Sequence, residues 1–218
     1  MKTPPWSHSL LHSYEVCEHQ AYRQYVVKDI PWEPTPERVA GNAAHKALEL
    51  RLSAQVRLPD GFGRYEGLIL PIERFEGERH YEWKLGMQED GSPCRFHDDD
   101  VWGRGVLDVC LIRDRIGMLL DWKTGKVRED PEELEVQAVL LKAHWPGLTR
   151  IVGRYVWLRD NQLGQEHDLS DTVVKLASIR QRVEKFRMNL RTGAWQKRDN
   201  VLCGWCSVRD CEFNRNRT

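Results

Sequence analysis

No stretch of the 218 residues stays apolar for long enough to cross a bilayer, and the opening Met1-Lys2-Thr3-Pro4-Pro5-Trp6 lacks the hydrophobic core of a secretion signal. The expectation is a soluble protein of the cell interior with no membrane partner. Net charge is absent too: 33 lysines and arginines balance 33 aspartates and glutamates, so no global excess announces a polyanionic partner. Internal repeats, low-complexity tracts and any linker that would force a second domain are missing, and residues 1–218 read as a single domain. Gly125-Lys126 lacks the G-x-x-x-x-G-K-[ST] frame, which disfavours a P-loop phosphotransferase. Without a secretion signal, the six cysteines are reduced thiols or metal ligands rather than a disulfide framework.

Charge is unevenly placed. From Lys175 onward there are 11 basic and 4 acidic residues, a net +7 that leaves −7 for residues 1–174. A basic C-terminal fifth suits a phosphate backbone, and Arg180, Arg187 and Arg191 fall along one side of a helix there; an Arg-rich solvated helix would carry the same pattern.

Periodicity and punctuation give the elements. Ser9 is placed to cap a helix reaching Cys17, and a second helix passes through Tyr22, Tyr25 and Val26, so residues 9–27 are helical. Pro31, Pro34 and Pro36 break the chain before a helix over about Glu37 to Arg57, in which Val39, Ala43, Ala47, Leu48 and Leu52 recur at helical spacing. Strands are predicted over Gly67–Arg74 and Arg79–Leu85 around the turn Glu76-Gly77-Glu78, with a polar loop over 88–100 that includes Asp98-Asp99-Asp100. Two further strands, Val101–Ile112 and Ile116–Lys123, are joined by Arg113-Asp114-Arg115. Pro131 opens a helix whose Glu132, Glu133 and Glu135 suit the macrodipole and which ends near Trp145-Pro146-Gly147. A strand over Arg150–Leu158, a turn at Asp160-Asn161 and a helix capped by Ser170 and running to about Arg191 complete the chain. The order implies an α/β fold with a central mixed β-sheet flanked by helices, its core over about 37–160.

Chemistry concentrates at Asp121-Trp122-Lys123-Thr124-Gly125, where a buried strand ends. Residues i and i+2 share a face of a strand, so Asp121 and Lys123 point together while Trp122 turns away. Such a pair alone is also the pattern of an ordinary surface ion pair. An upstream strand carries Asp108, and hairpin pairing across Arg113-Asp114-Arg115 would bring it near Asp121.

Taken in order, Gly41-Asn42-Ala43-Ala44-His45, Glu82, Gly105-Val106-Leu107-Asp108, Asp121-Trp122-Lys123-Thr124-Gly125 and Gln137-Ala138-Val139-Leu140-Leu141 resemble the PD-(D/E)XK nucleases. The likeness is to their RecB-like branch, which includes CRISPR-associated adaptation exonucleases and phage recombination exonucleases. It spans about residues 9 to 211, and its one plain departure is Leu141, where that branch carries Tyr. It implies a restriction-endonuclease-like core and Mn²⁺ or Mg²⁺ held by His45, Glu82, Asp108, Asp121 and the Trp122 carbonyl. Hard carboxylate oxygens suit either ion, and an imidazole favours manganese. Lys123 would orient the attacking water and Gln137 would position Lys123 or the phosphate. Taken singly, His45 also reads as a packed histidine, and Glu82 as an edge-strand charge.

Cys203-Gly204-Trp205-Cys206-Ser207-Val208-Arg209-Asp210-Cys211 is C-x2-C-x4-C, close enough for three thiolates to meet at one centre. The resemblance nominates Cys17 as the fourth ligand and a [4Fe–4S] cluster that joins the N-terminal helices to residues 170–218; zinc and free thiols remain alternatives. Cys94 is a weaker fourth ligand, and Cys110, within a strand, belongs in the core. The resemblance implies a metal-dependent exonuclease acting on single-stranded DNA or DNA ends. It would serve recombination, repair or CRISPR adaptation, with partner proteins of those processes, in the cytoplasm of a bacterial host or encoded by its phage. The rival readings are a non-cleaving binder that keeps the nuclease fold and a zinc-stapled nucleic-acid-binding module; the second leaves Asp121 and Lys123 unexplained.

Overall fold

A seven-stranded mixed sheet organises the middle of the chain. The computed structural model describes residues 3–30 and 35–216, so Pro31 and Pro34 lie outside the described residues. The chain divides into two compact units, residues 34–175 and residues 1–33 with 176–218.

The second of these units opens with α1 (His8–Val16) and α2 (Glu18–Ala21); in the unit of residues 34–175, Thr35 caps α3 (Pro36–Ala54). Thr35 accepts from the Arg38 N–H, and Pro36 fills the first turn, where a missing N–H costs nothing. The helix stops at Gln55, in the left-handed region, two residues before the expected Arg57. Residues 67–74 correct an expectation: they form the helix α4 (Glu66–Glu73), not a strand. A short apolar run does not distinguish the two by pattern, and here Ile69 and Ile72, one helical turn apart, are the buried pair.

The strands are β1 (Glu78–Met87), β2 (Pro93–Cys94), β3 (Gly103–Arg113), β4 (Ile116–Lys123), β5 (Arg150–Trp157), β6 (Gln162–Leu163) and β7 (His167–Asp168). Their order is β2-β1-β3-β4-β5-β6, with β7 also on β5; β4 and β5 are parallel and the other pairs antiparallel. The parallel pair requires a crossover, supplied by α5 (Glu132–His144). β2 is a two-residue pairing inside the stretch expected to be loop.

Each sheet face has its cover. Ala44, Leu48 and Leu52 of α3 join Ile69 and Ile72 of α4 in a core with Val109, Leu111, Leu120 and Trp122. Leucines of α5 cover the opposite face where strand glycines leave room: a Cβ at Gly105 would stand 2.8 Å from Leu140, and one at Gly117 would stand 3.0 Å from Leu141. Leu141, the departure from the family pattern, is thus fully buried in this second layer.

The other unit gathers both chain ends. Ser7, not the expected Ser9, caps α1, its hydroxyl accepting from the Leu10 N–H. The second N-terminal helix passes through Tyr22, Tyr25 and Val26 as expected, α2 continuing as a π-helical segment, Tyr22–Val27. Asp171, rather than Ser170, accepts from a first-turn N–H of α6 (Thr172–Thr192), while the Ser170 hydroxyl is turned to Asp168 and Ile151. Along α6, Ile179, Val183 and Phe186 are buried. Phe186 meets Tyr14 edge-on at 5.3 Å, and Trp195 stacks on Tyr22 at 4.7 Å. Arg23 Nη1 donates to both carboxylate oxygens of Asp210, at 3.0 and 2.9 Å, tying residues that lie far apart in sequence.

Candidate active site and cysteine cavity

The site lies where β3 and β4 part. Their pairing ends at Val109↔Leu120, and beyond it the Asp108 carboxylate accepts the Trp122 N–H at 2.8 Å in place of the next ladder bond. Asp108 is thereby held at the fork of the two strands.

β1 contributes through an unusual backbone. In a regular strand Glu82 would share a face with His80. Instead Glu82 has φ +45°, a left-handed conformation that costs a non-glycine residue about 1–2 kcal/mol. The turn places Glu82 on the α3 side beside Tyr81, and sends Trp83 to the other side, where it stacks on His80 at 4.1 Å. His45, on α3, meets the two carboxylates: its Nδ1 is 3.8 Å from Glu82 and 3.5 Å from Asp108, while its Nε2 lies 3.0 Å from the Trp122 carbonyl oxygen. Ligand atoms of His45, Glu82 and Asp108 fall within 4.8 Å of one another.

The glycine that precedes His45 by one helical turn has a job of contact. A Cβ at Gly41 would stand 3.2 Å from the Thr124 hydroxyl oxygen, so α3 approaches the end of β4 closely where the residue has no side chain. This accounts physically for a glycine and a threonine that sequence alone presents as letters of two separate motifs.

On the α5 side, Asp121 and Lys123 share a face as expected, with Lys123 Nζ 2.6 Å from Asp121 Oδ2. Trp122 goes to the α3 core. Asp121 is 3 % exposed; its Oδ1 accepts from Gln137 Nε2 at 2.8 Å, and its Oδ2 is paired with Lys123. Lys123 also donates to Glu133 Oε2, at 2.6 Å. Glu133 was expected only to answer the helix dipole, and no sequence signal tied it to Lys123.

Electrostatics follow from this packing. Burial pulls the His45 imidazole down, but Asp108 and Glu82 outweigh it and push the ring up to about 10. Burial, then the Asp108 charge, raises Asp121 well above the usual carboxylate range, against the pull of Lys123. Burial disfavours the Lys123 charge, yet Asp121 and Glu133 more than restore it, so the amine is firmly protonated. The Lys123 ammonium also lies 5.3 Å from the Tyr155 ring centre, and the Tyr155 hydroxyl donates to the Asp130 carbonyl, anchoring the loop between β4 and α5.

These features fit a divalent cation. Oxygen and imidazole ligands converge, a buried carboxylate, Asp121, lies beside them, and a protonated histidine stands between two carboxylates where positive charge is needed.

The sequence profile of the PD-(D/E)XK nuclease superfamily matches residues 5–211. The chain belongs to that superfamily. Its members are nucleases, and its mixed sheet with flanking helices is the restriction-endonuclease-like core that the family builds on. No curated protein matches. Among solved structures, one titled "Crystal structure of SSO0001" is similar at a TM-score of 0.44 and 11% identity, over 94% of this chain and 81% of that one, a likeness too distant to add to the assignment.

The remaining predicted site residues lie in the unit built from the chain ends. Cys17, Cys203, Cys206 and Cys211 line one small cavity, together with His19, Arg198 and Asn214. Burial raises the Cys206 thiol, and the other three sulfurs raise it further. Cys94 sits in β2 and Cys110 is buried in β3, its thiol pushed up to about 12 by burial, so both belong to the sheet unit. Arg180 and Arg191 are exposed on α6, and Arg187 pairs with Glu184 at 2.8 Å. Among the described residues no helix is long and apolar enough to cross a membrane.

Proposed function

We propose that this chain is a metal-dependent DNA nuclease, acting as an exonuclease on single strands or ends. The observation that carries the reading is the convergence of His45, Glu82, Asp108 and the Trp122 carbonyl beside a buried Asp121 paired with Lys123. His45, Glu82, Asp108, Asp121 and the Trp122 carbonyl would hold Mn²⁺ or Mg²⁺, with the imidazole tilting the choice toward manganese. Such an ion supplies charge neutralisation on the phosphoryl oxygens and an acidified water as nucleophile.

The chain's own groups do the rest. Lys123, protonated and held within reach of Asp121, orients the attacking water and meets the negative charge that develops on the phosphoryl group. Gln137 fixes the rotamer of Asp121 through its amide. Arg180, Arg187 and Arg191 would follow the DNA backbone.

The four-cysteine cavity supports a second element of the reading, a structural [4Fe–4S] cluster on Cys17, Cys203, Cys206 and Cys211, with zinc as the other metal this ligand set accepts. The whole chain would then act as one nuclease domain in the cytoplasm, working with proteins of recombination, repair or CRISPR adaptation.

The test is incubation with end-labelled linear and with circular DNA, with and without Mn²⁺. Mn²⁺-dependent release of short products from the linear substrate, with the circle intact, is expected. Asp121→Ala and Lys123→Ala should each lower the rate by at least about 10²-fold while the protein stays folded. Binding without cleavage would favour the non-cleaving binder, and wild-type cleavage by either variant would displace the assigned site.

A further inference from the structure

We propose that Glu133 is a positioning residue: it shares the Lys123 ammonium with Asp121 and thereby weakens the hold of Lys123 on Asp121, leaving that carboxylate open to a cation. The proposal rests on the metal-dependent reading of this site, but its central claim concerns three side chains and can be tested without catalysis.

Lys123 Nζ lies 2.6 Å from Asp121 Oδ2 and 2.6 Å from Glu133 Oε2, so one ammonium is shared between two carboxylates. Asp121 therefore holds only a share of that charge. Its Oδ1 is held by Gln137, and its buried Oδ2 faces Lys123.

The origin of the arrangement is a match of two repeats. Asp121 and Lys123 are two residues apart on β4, about 6.6 Å along a strand; Glu133 and Gln137 are four apart on α5, about 6 Å along a helix. Residues at i and i+4 share a helix face. One face of α5 can thus grip both members of the Asp-x-Lys pair at once, Gln137 on Asp121 and Glu133 on Lys123. The polarity of the two grips differs. Gln137 donates to the carboxylate and Glu133 accepts from the ammonium, so neither helix residue brings positive charge that would compete with a cation.

Without Glu133, the partly buried ammonium would have Asp121 as its nearest counter-ion. An ion pair in a desolvated setting is costly to break once its other partner is gone. A cation would then have to displace Lys123 from Asp121 before binding, and Lys123 would have no anchor once displaced. Glu133 removes both obstacles.

The experiment is a double-mutant cycle on Mn²⁺ affinity, read by isothermal titration on full-length protein without DNA. Glu133→Gln, close to isosteric, should weaken Mn²⁺ binding about tenfold, in the range of outer-shell substitutions at metal sites. Lys123→Met should restore the affinity when added to Glu133→Gln, because it removes the competitor. In DNA cleavage, Glu133→Gln should lower kcat with little change in KM. Wild-type Mn²⁺ affinity in Glu133→Gln would overturn the proposal. An equal loss with and without Lys123 would overturn it as well, by showing that Glu133 acts through its charge alone. Should the wild type bind Mn²⁺ but cut no DNA, the nuclease reading fails while the cycle still decides the role of Glu133.

Discussion

His45 is the residue of the proposed metal site whose charge the binding of a cation would change. Its ring lies between Glu82 and Asp108, and their charges push it up to about 10 from an ordinary 6.5, so the imidazolium itself neutralises the carboxylates at neutral pH. A raised folded-state value means that this group's contribution to stability is fully present below pH 6.5 and fades as pH climbs toward 10. Metal binding runs the other way, because the ring must lose its proton to become a ligand. Mn²⁺ affinity should therefore rise between pH 6.5 and 9, with release of about one proton per ion bound at pH 7. Titration calorimetry in two buffers of different ionisation enthalpy measures that proton directly. His45→Asn should weaken binding and flatten its pH dependence; an unchanged slope would mean that His45 is not a ligand.

At the scale of elements, the close approach of α3 to the end of β4 explains why the histidine reaches a strand far from it in sequence. Gly41→Ala offers a better helix former, worth about 1 kcal/mol, but its Cβ presses on Thr124, so the two effects should leave stability nearly unchanged. Gly41→Val cannot be so accommodated. It should cost about 1–3 kcal/mol in urea unfolding and lower Mn²⁺ affinity, because α3 must back away and carry His45 with it. Mn²⁺ affinity at the wild-type level in Gly41→Val would show that the contact does not position the ligand. The same elements set the limits of what sequence discloses. Asp121, Lys123 and Asp108 were legible because strand alternation and a short hairpin fix their relations locally. The helix over 66–73 was not, since Leu68, Ile69, Leu70 and Ile72 satisfy either period and only the α3–α4 core decides. Nor was the turn at Glu82: left-handed glutamate has no sequence signature, and here it separates neighbours, Tyr81 and Trp83, that lie on opposite faces of the sheet. Glu133 was hidden for a third reason, because a first-turn acidic residue already has a sufficient local explanation in the helix dipole.

At the scale of the whole molecule, the two chain ends form one compact unit and the sheet unit is the segment strung between them in sequence. A metal joining Cys17 to Cys203, Cys206 and Cys211 would close a loop containing nearly the whole chain. Closing so long a loop removes entropy from the unfolded state, though the gain grows only logarithmically with length. Protein contacts also join the ends, through Tyr14, Phe186 and Trp195 and the Arg23 bond to Asp210, so a metal bound at the four cysteines would reinforce links that the side chains make themselves. Cys17→Ser should therefore lose the metal and about 2 kcal/mol or more of stability without abolishing folding, whereas Cys94→Ser, altering a thiol in β2, should keep both. Protein purified without oxygen should be brown, absorbing broadly near about 400 nm, with on the order of four irons per chain. A colourless protein carrying about one zinc would replace the cluster but keep the four ligands, and metal retained by Cys17→Ser would remove Cys17 from the set.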